Sequence, residues 1–206
     1  LPTIQGFFDR YGLDAWRWYM ATQGPLQASD ADFRAAHFHE IYTADLVNVV
    51  GNCPSRVTAM IGKYFEGKMP ADKAGGGEWT ARCAAAVAEW EHAMDALDLT
   101  RASEAPMKLL RELDVFINKT EPFKVAKDPA RGDELASILS QCANTVRIAG
   151  VLLEPFLPGK MADLAAALGH AAEGGAWGDR VRWGSIAPGT PLQKVALFPR
   201  VELPKE

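Results

Sequence analysis

The side chains in this sequence that could do chemistry are limited by their spacing. His37 and His39 stand two apart, so on a helix turning about 100° per residue they would point about 160° away from each other. The three cysteines, Cys53, Cys83 and Cys142, contain no C-x-x-C pair. An odd number without a framework suits unpaired buried thiols in a reducing compartment, and neither set has the ligand spacing of a zinc site. Asn52 and Arg56 are four apart, so they share one helix face with about 6 Å between their Cα atoms. Measured from Leu46, the centre of an apolar stripe, they lie roughly 80–120° to one side, at the margin between core and solvent. A side chain there is fixed at its base while its amide or guanidinium reaches outward. The plainer alternative is that Asn52 bonds nearby backbone and Arg56 only solvates the helix. No acid, base and nucleophile converge into a catalytic set.

The chain that must position these groups has 206 residues, 48% of them hydrophobic and 23% charged, which suits one generous folded domain, or one domain with attachments, rather than a disordered polymer. No apolar run approaches the ~20 residues of a membrane span, so no membrane partner is expected. The net charge of −4 argues weakly against a nucleic-acid partner, but one local basic face is enough to reverse that. Leu1 is not Met and no signal sequence follows, so the sequence is expected to be a piece of a longer polypeptide.

Helical periodicity dominates. The segment from Ile4 to Ala21 is dense in aromatics and is interrupted by Gly12, which fits two short helices or one bent one. Ser29 or Asp30 would cap a long helix toward Phe65, with Leu46, Val49, Val50, Cys53, Val57, Met60, Ile61 and Tyr64 as its apolar stripe. Pro54 predicts a kink between Asn52 and Arg56, which Gly51 could absorb. Gly75 to Gly77 reads as a mobile connection. A third helix is predicted from Glu78 to Leu97, burying Ala84, Val87, Trp90, Met94 and Leu97. A fourth is capped by Asp98 or Thr100, with Pro106 in its first or second turn, and ends before Pro122. Asp128-Pro129 opens a fifth, and a sixth stops at Gly169. Of the rest, only Lys194 to Val201 could be extended. The fold class is therefore all-α: a helical bundle with an irregular C-terminal tail.

Five strings, in order along the chain, carry a family resemblance. Tyr11-Gly12-Leu13-Asp14-Ala15-Trp16-Arg17-Trp18-Tyr19 resembles the Y-G-x-D-A-x-R-Y-Y segment that follows the K-M-S-K-S loop of class I aminoacyl-tRNA synthetases. Ala44-Asp45-Leu46-Val47-Asn48-Val49-Val50-Gly51-Asn52, with Ser55-Arg56, resembles the A-D-L-x-N-x-x-G-N-x-x-x-R helix of the methionyl-tRNA synthetases. Ile117 to Lys127 is similar to that family's I-x-x-x-x-P-W-x-L-A-K turn. Arg147-Ile148 through Leu157-Pro158 is similar to its R-I-x-x-x-L-x-P-F-x-P stretch, and Leu197-Phe198-Pro199-Arg200-Val201 to its closing L-F-P-R-I.

The resemblance implies the part of a methionine–tRNA ligase that lies after the catalytic domain. Residues 1–28 would be a stem-contact remnant, 29–169 the helical anticodon-binding domain, and 170–206 a tail folding back toward the catalytic domain. Asn52 and Arg56 match positions that hydrogen-bond anticodon bases, whose free Watson–Crick edges suit amide and guanidinium groups. Phe123 stands where the family has a Trp stacked on an anticodon base; it keeps a π face but loses area and the indole N–H. The opposing view makes Phe123 a core plug. Lys119, Lys124 and Lys127, with Arg131, would supply charge for phosphates or would be plain solvated charges. Asp14 and Arg17 could pair under the aromatic cluster, and the face around Trp16 and Trp18 would be left exposed where a catalytic half is absent. The H-I-G-H and K-M-S-K-S strings do not occur here. This stretch is therefore expected to be non-catalytic and to hold no cofactor or metal, while the parent enzyme uses ATP and Mg. The implied partners are a methionine-accepting tRNA with a CAU anticodon and the parent's own catalytic domain, in the cytoplasm, with no DNA. The alternatives are the bundle of another class I synthetase, such as the leucine, valine, isoleucine or cysteine enzyme, or a helical protein–protein interaction module. The absence of a 30–45-residue repeat counts against the latter.

Overall fold

Residues 4–23, 33–169 and 175–202 are described by a computed structural model of the chain. Gly12 divides the aromatic N-terminal segment into α1 (Ile4–Tyr11) and α2 (Leu13–Thr22). Its φ of 81° lies in the left-handed region that a side chain rarely adopts, so the chain turns there. The long helix follows as three joined segments: α3 (Ala35–Ile41), a π-helical stretch from Tyr42 to Gly51, and α4 (Asn52–Tyr64). It starts at Ala35, after an extended Arg34 that makes no side-chain cap. That is later than a cap at Ser29 or Asp30 would give, and both of those residues lie outside the described segments.

Next come α5 (Gly77–Asp95), α6 (Leu99–Thr120), the four-residue α7 (Pro122–Val125), α8 (Gly132–Leu153) entered through a 3-10 turn at Pro129–Arg131, α9 (Pro158–Ala167) and the short α10 (Trp177–Arg180). Asp98 caps α6 by accepting from the Arg101 N–H at 3.0 Å, and Asp128 caps the 3-10 turn by accepting from Ala130 N–H at 3.0 Å. The bundle is all-α among the described residues, the one β feature being an isolated antiparallel bridge between Lys68 and Pro191.

Helix α8 is the axis of the bundle. Every residue from Ser137 to Gly150 is buried, because α4, α5, α6 and α9 all pack around it. Its segment Pro129–Leu153 is long and apolar enough to cross a membrane, but 94% of the apolar window is buried inside the bundle, as a core helix is. Leu110, Leu113 and Ile117 of α6 are almost fully buried against it, each contributing roughly 1.5–3 kcal/mol. Two of the polar side chains in α8 bond back to their own helix: Thr145 donates to Gln141 O and Asn144 to Ser140 O.

The structure departs from the sequence pattern at several places. Ala84 and Leu97 are exposed; the buried face of α5 is Trp79, Cys83, Ala86, Val87, Trp90 and Ala93. Leu97, 85% exposed, takes a left-handed φ of 57° just beyond the helix, which turns its side chain away from the core. Pro106 lies deeper in α6 than its second turn and is buried. Lys194 to Val201 forms no strand. The Gly75–Gly77 connection is held in place: Asp72 accepts from the Ala74 and Gly76 N–H groups at 2.9 and 2.5 Å.

The tail runs back along the long helix. Leu192 N–H donates to Gly67 O, Val195 N–H to the Thr58 hydroxyl, and the Tyr42 hydroxyl to Pro199 O, while Arg10 reaches Glu202 O. Upstream, Trp177 stacks on Trp90 at 5.0 Å between centroids and donates to Glu91. Buried Arg147 donates to the carbonyls of Arg180 and Arg182, fastening α10 and the residues after it to α8.

Candidate nucleic-acid interface

The π-helical stretch sets the register of the contact helix. Gly51 is buried where it ends, and a Cβ there would stand 3.1 Å from Leu46 O, a tight approach inside the wide turns, and 3.6 Å from Phe198 Cβ of the tail, an ordinary contact. The wide turns end at Gly51 and α4 begins at Asn52. The irregularity is therefore not between Asn52 and Arg56, where Pro54 predicts a kink: it ends before Asn52, and both residues lie on one α-helical segment. A π turn next to a proline relieves the crowding between its ring and the preceding turn. Asp45, from the same motif, ties three elements together by accepting from Trp18 Nε1 and Arg111 Nη2, both at 3.2 Å.

Asn52 is exposed, and its amide has no hydrogen-bond partner among the described residues. Arg56 is about one-third exposed. It does more than solvate its helix: Nη1 donates to Asp114 Oδ1 and Nη2 donates to Asn118 Oδ1 at 2.9 Å. The sequence did not single out either partner. Their signal was their spacing, four apart on the flank of α6 that the apolar residues leave polar.

Asn118 lies just before the end of α6, where Glu121 adopts a left-handed φ of 46° and Pro122 starts the next turn. In that turn Pro122 and Val125 are buried while Phe123 is 47% exposed. Phe123 is therefore not a core plug. An unpartnered amide, a guanidinium held by two oxygens and an exposed aromatic ring occupy the α4 face and the adjoining end of α6.

The basic residues nearby are partly neutralised. Lys124 pairs with Glu121 at 2.8 Å and Arg131 with Glu134 at 2.6 Å; hydrogen bonding from Arg131 holds the Glu134 carboxyl below its ordinary range. Lys119 and Lys127 are exposed and unpaired among the described residues. Lys119 stands about 100° around α6 from Asn118, at the rim of a groove of about 610 Å³ between α5 and α6. Beneath Arg56 the buried Cys53 thiol is pushed up to about 12 by burial, with the Asp114 carboxylate adding to the rise and Arg56 opposing it. Cys142 is raised by burial as well, then by Cys53. Among the described residues no three His, Cys, Asp or Glu groups gather where a metal ion could be held.

The aromatic cluster and Asp14 and Arg17 also differ from what the sequence suggests. Trp18 is 2% exposed, so this chain covers it, while Trp16 packs against Phe8, Phe33 and Phe38 and stays half-buried. Asp14 accepts from Lys160 N–H at 2.6 Å and Arg17 donates to Pro155 O at 2.9 Å; the two do not pair with each other.

A family model described as tRNA synthetases class I (M) matches residues 3–58, which end just beyond Arg56. Methionine–tRNA ligase 1 of Bacillus anthracis is 34% identical over 204 residues, covering 96% of this chain and 31% of that protein. The methionine–tRNA ligase of Oceanobacillus iheyensis is 35% identical over 205 residues, covering 96% and 30%. The chain is a relative of the methionyl-tRNA synthetases. It spans about 30% of the length of these curated relatives. Among solved structures, the apo methionyl-tRNA synthetase of Mycobacterium tuberculosis superposes with a TM-score of 0.81 at 21% identity, over 96% of this chain and 40% of that one. The same enzyme bound by methionyl-adenylate superposes at 0.79. At that identity the likeness shows a shared fold, and the all-α bundle of this synthetase relative is the fold expected from its sequence.

Proposed function

We propose that this chain is the tRNA-anticodon-recognising C-terminal region of a methionine–tRNA ligase, the enzyme that attaches methionine to its tRNA with ATP in protein synthesis. Residues 1–28 act as the stem contact, 29–169 as the anticodon-binding domain, and 170–206 as the tail returning toward the catalytic domain of the same polypeptide. Catalysis, with ATP and Mg, belongs to that other domain, in the cytoplasm. The partner here is the methionine-accepting tRNA with its CAU anticodon.

The observation that carries this reading is the exposed Phe123 at the end of the helix whose Asn118 holds Arg56. Unstacked loop bases offer a π face and a free Watson–Crick edge. Phe123 supplies a stacking surface, and Asn52 and Arg56 supply an amide and N–H donors for the edge. Lys119, Lys124 and Lys127 serve as weaker phosphate contacts, with Lys124 sharing its charge with Glu121.

Chemical footprinting of the methionine-accepting tRNA tests this directly. Adding the chain is expected to shield the three anticodon bases from modification at their Watson–Crick edges. Unchanged reactivity of all three at saturating protein would overturn the proposal.

A further inference from the structure

Arg56 is held at two points. Asp114 and Asn118 stand one turn apart on α6, and each takes one Nη group of the guanidinium. Two of its five N–H donors are then engaged, leaving Nε–H and one hydrogen on each Nη. Both partners of the Arg56–Asp114 pair are about one-third exposed, so the guanidinium keeps a solvent-facing edge. Cys53, one turn before Arg56 on α4, and Cys142 of α8 are both buried, and α4 packs on α8.

A partly exposed ion pair of this kind adds little to stability. A carboxylate is also an unfavourable neighbour for phosphates. Its use lies elsewhere: a free arginine surrenders much rotamer freedom when it binds, and a pre-held one has already done so. Resting on the reading of Arg56 as a base contact, we propose that Asp114 is a positioning residue for anticodon recognition, fixing the Arg56 guanidinium so that its free N–H edge meets the loop base already oriented. Asn118 completes the grip.

The test uses the chain with Asp114→Asn, Asp114→Glu, Arg56→Ala and the Asp114→Asn/Arg56→Ala double variant. The probes are fluorescent stem-loop RNAs carrying CAU or a single-base-altered anticodon. Asp114→Asn is expected to weaken CAU binding about threefold to tenfold, while altered loops bind as before or tighter because a negative charge is gone. In the Arg56→Ala background the same change is expected to do nothing to CAU selectivity. Asp114→Glu, which keeps the charge one methylene further out, is expected to fall between wild type and Asp114→Asn; it supplies the reading if Asp114→Asn does not fold. Equal tightening of CAU and altered loops by Asp114→Asn, or an equal loss of CAU affinity with and without Arg56, would overturn the inference. If Arg56→Ala leaves CAU binding unchanged, the reading of Arg56 itself fails. If Arg56→Ala weakens binding and Asp114→Asn does not, only the role of Asp114 fails.

Discussion

Asp14 of α2 caps a helix that starts 144 residues later in the chain: its Oδ2 accepts from the Lys160 N–H at 2.6 Å. Lys160 is the third residue of α9, and Leu157, at the usual capping position, gives no side-chain bond. A carboxylate at a helix N-terminus also complements the helix dipole. Asp14→Ala is expected to cost about 1 kcal/mol, the usual loss for a cap, and to lower Tm by roughly 2–4 °C in a domain of this size. Thermal unfolding followed by circular dichroism checks it, with Asp14→Asn expected to lose less.

Phe123 separates stacking from packing. With nearly half its surface exposed, truncation leaves no large cavity, so Phe123→Ala is expected to change stability by no more than about 0.5 kcal/mol. The same variant is expected to lose roughly 1–3 kcal/mol of CAU stem-loop affinity, and Phe123→Trp to hold or improve it. Melting curves and fluorescence anisotropy on the two variants decide the matter; a large fall in Tm without an affinity loss would contradict stacking.

Salt dependence follows from the pairing pattern. Of the nearby cations, Lys119 and Lys127 are unpaired among the described residues, whereas Lys124 and Arg131 hold carboxylates. At about 0.7 per single-strand phosphate neutralised, the logarithm of affinity should fall with the logarithm of salt at a slope of roughly −1 to −2. A titration from low to high salt measures it, and a slope steeper than about −4 would mean that phosphates dominate.

The thiols give a pH signature. Burial pushes Cys53 up to about 12 and Cys83 up to about 11, from an ordinary 9.0. The folded chain holds these protons more tightly than the unfolded chain, so stability is whole below about pH 9 and is lost as pH rises toward 11 to 12. At pH 8 a thiol reagent is expected to leave the native chain unmodified and to label all three cysteines once it is denatured.

Helix order, most of the apolar stripes and the caps at Asp98 and Asp128 were legible because they depend on residues within one or two turns. The partners of Arg56 and Asp14 were not, because they lie 58 and 62 positions from Arg56 and 146 from Asp14 and only tertiary packing brings them near. Leu97 shows the same limit on a smaller scale: its periodicity suits the core, but a left-handed turn takes it out. The motif containing Arg147 was visible, yet its task of fastening the tail through two backbone carbonyls left no local trace beyond a lone charge in an apolar helix. Asn52, Arg56 and Phe123 were legible as residue types in family strings; their exposure and mutual placement come from the fold.

Whether this face distinguishes anticodons is read from the ratio of dissociation constants for a CAU stem-loop and loops altered at one anticodon base. Wild type is expected to favour CAU by roughly 1–3 kcal/mol per altered base, with Asn52→Ala and Arg56→Ala each losing preference at one position while Tm stays put. Equal binding of all loops by wild type, or preference unchanged in both variants, would contradict the account.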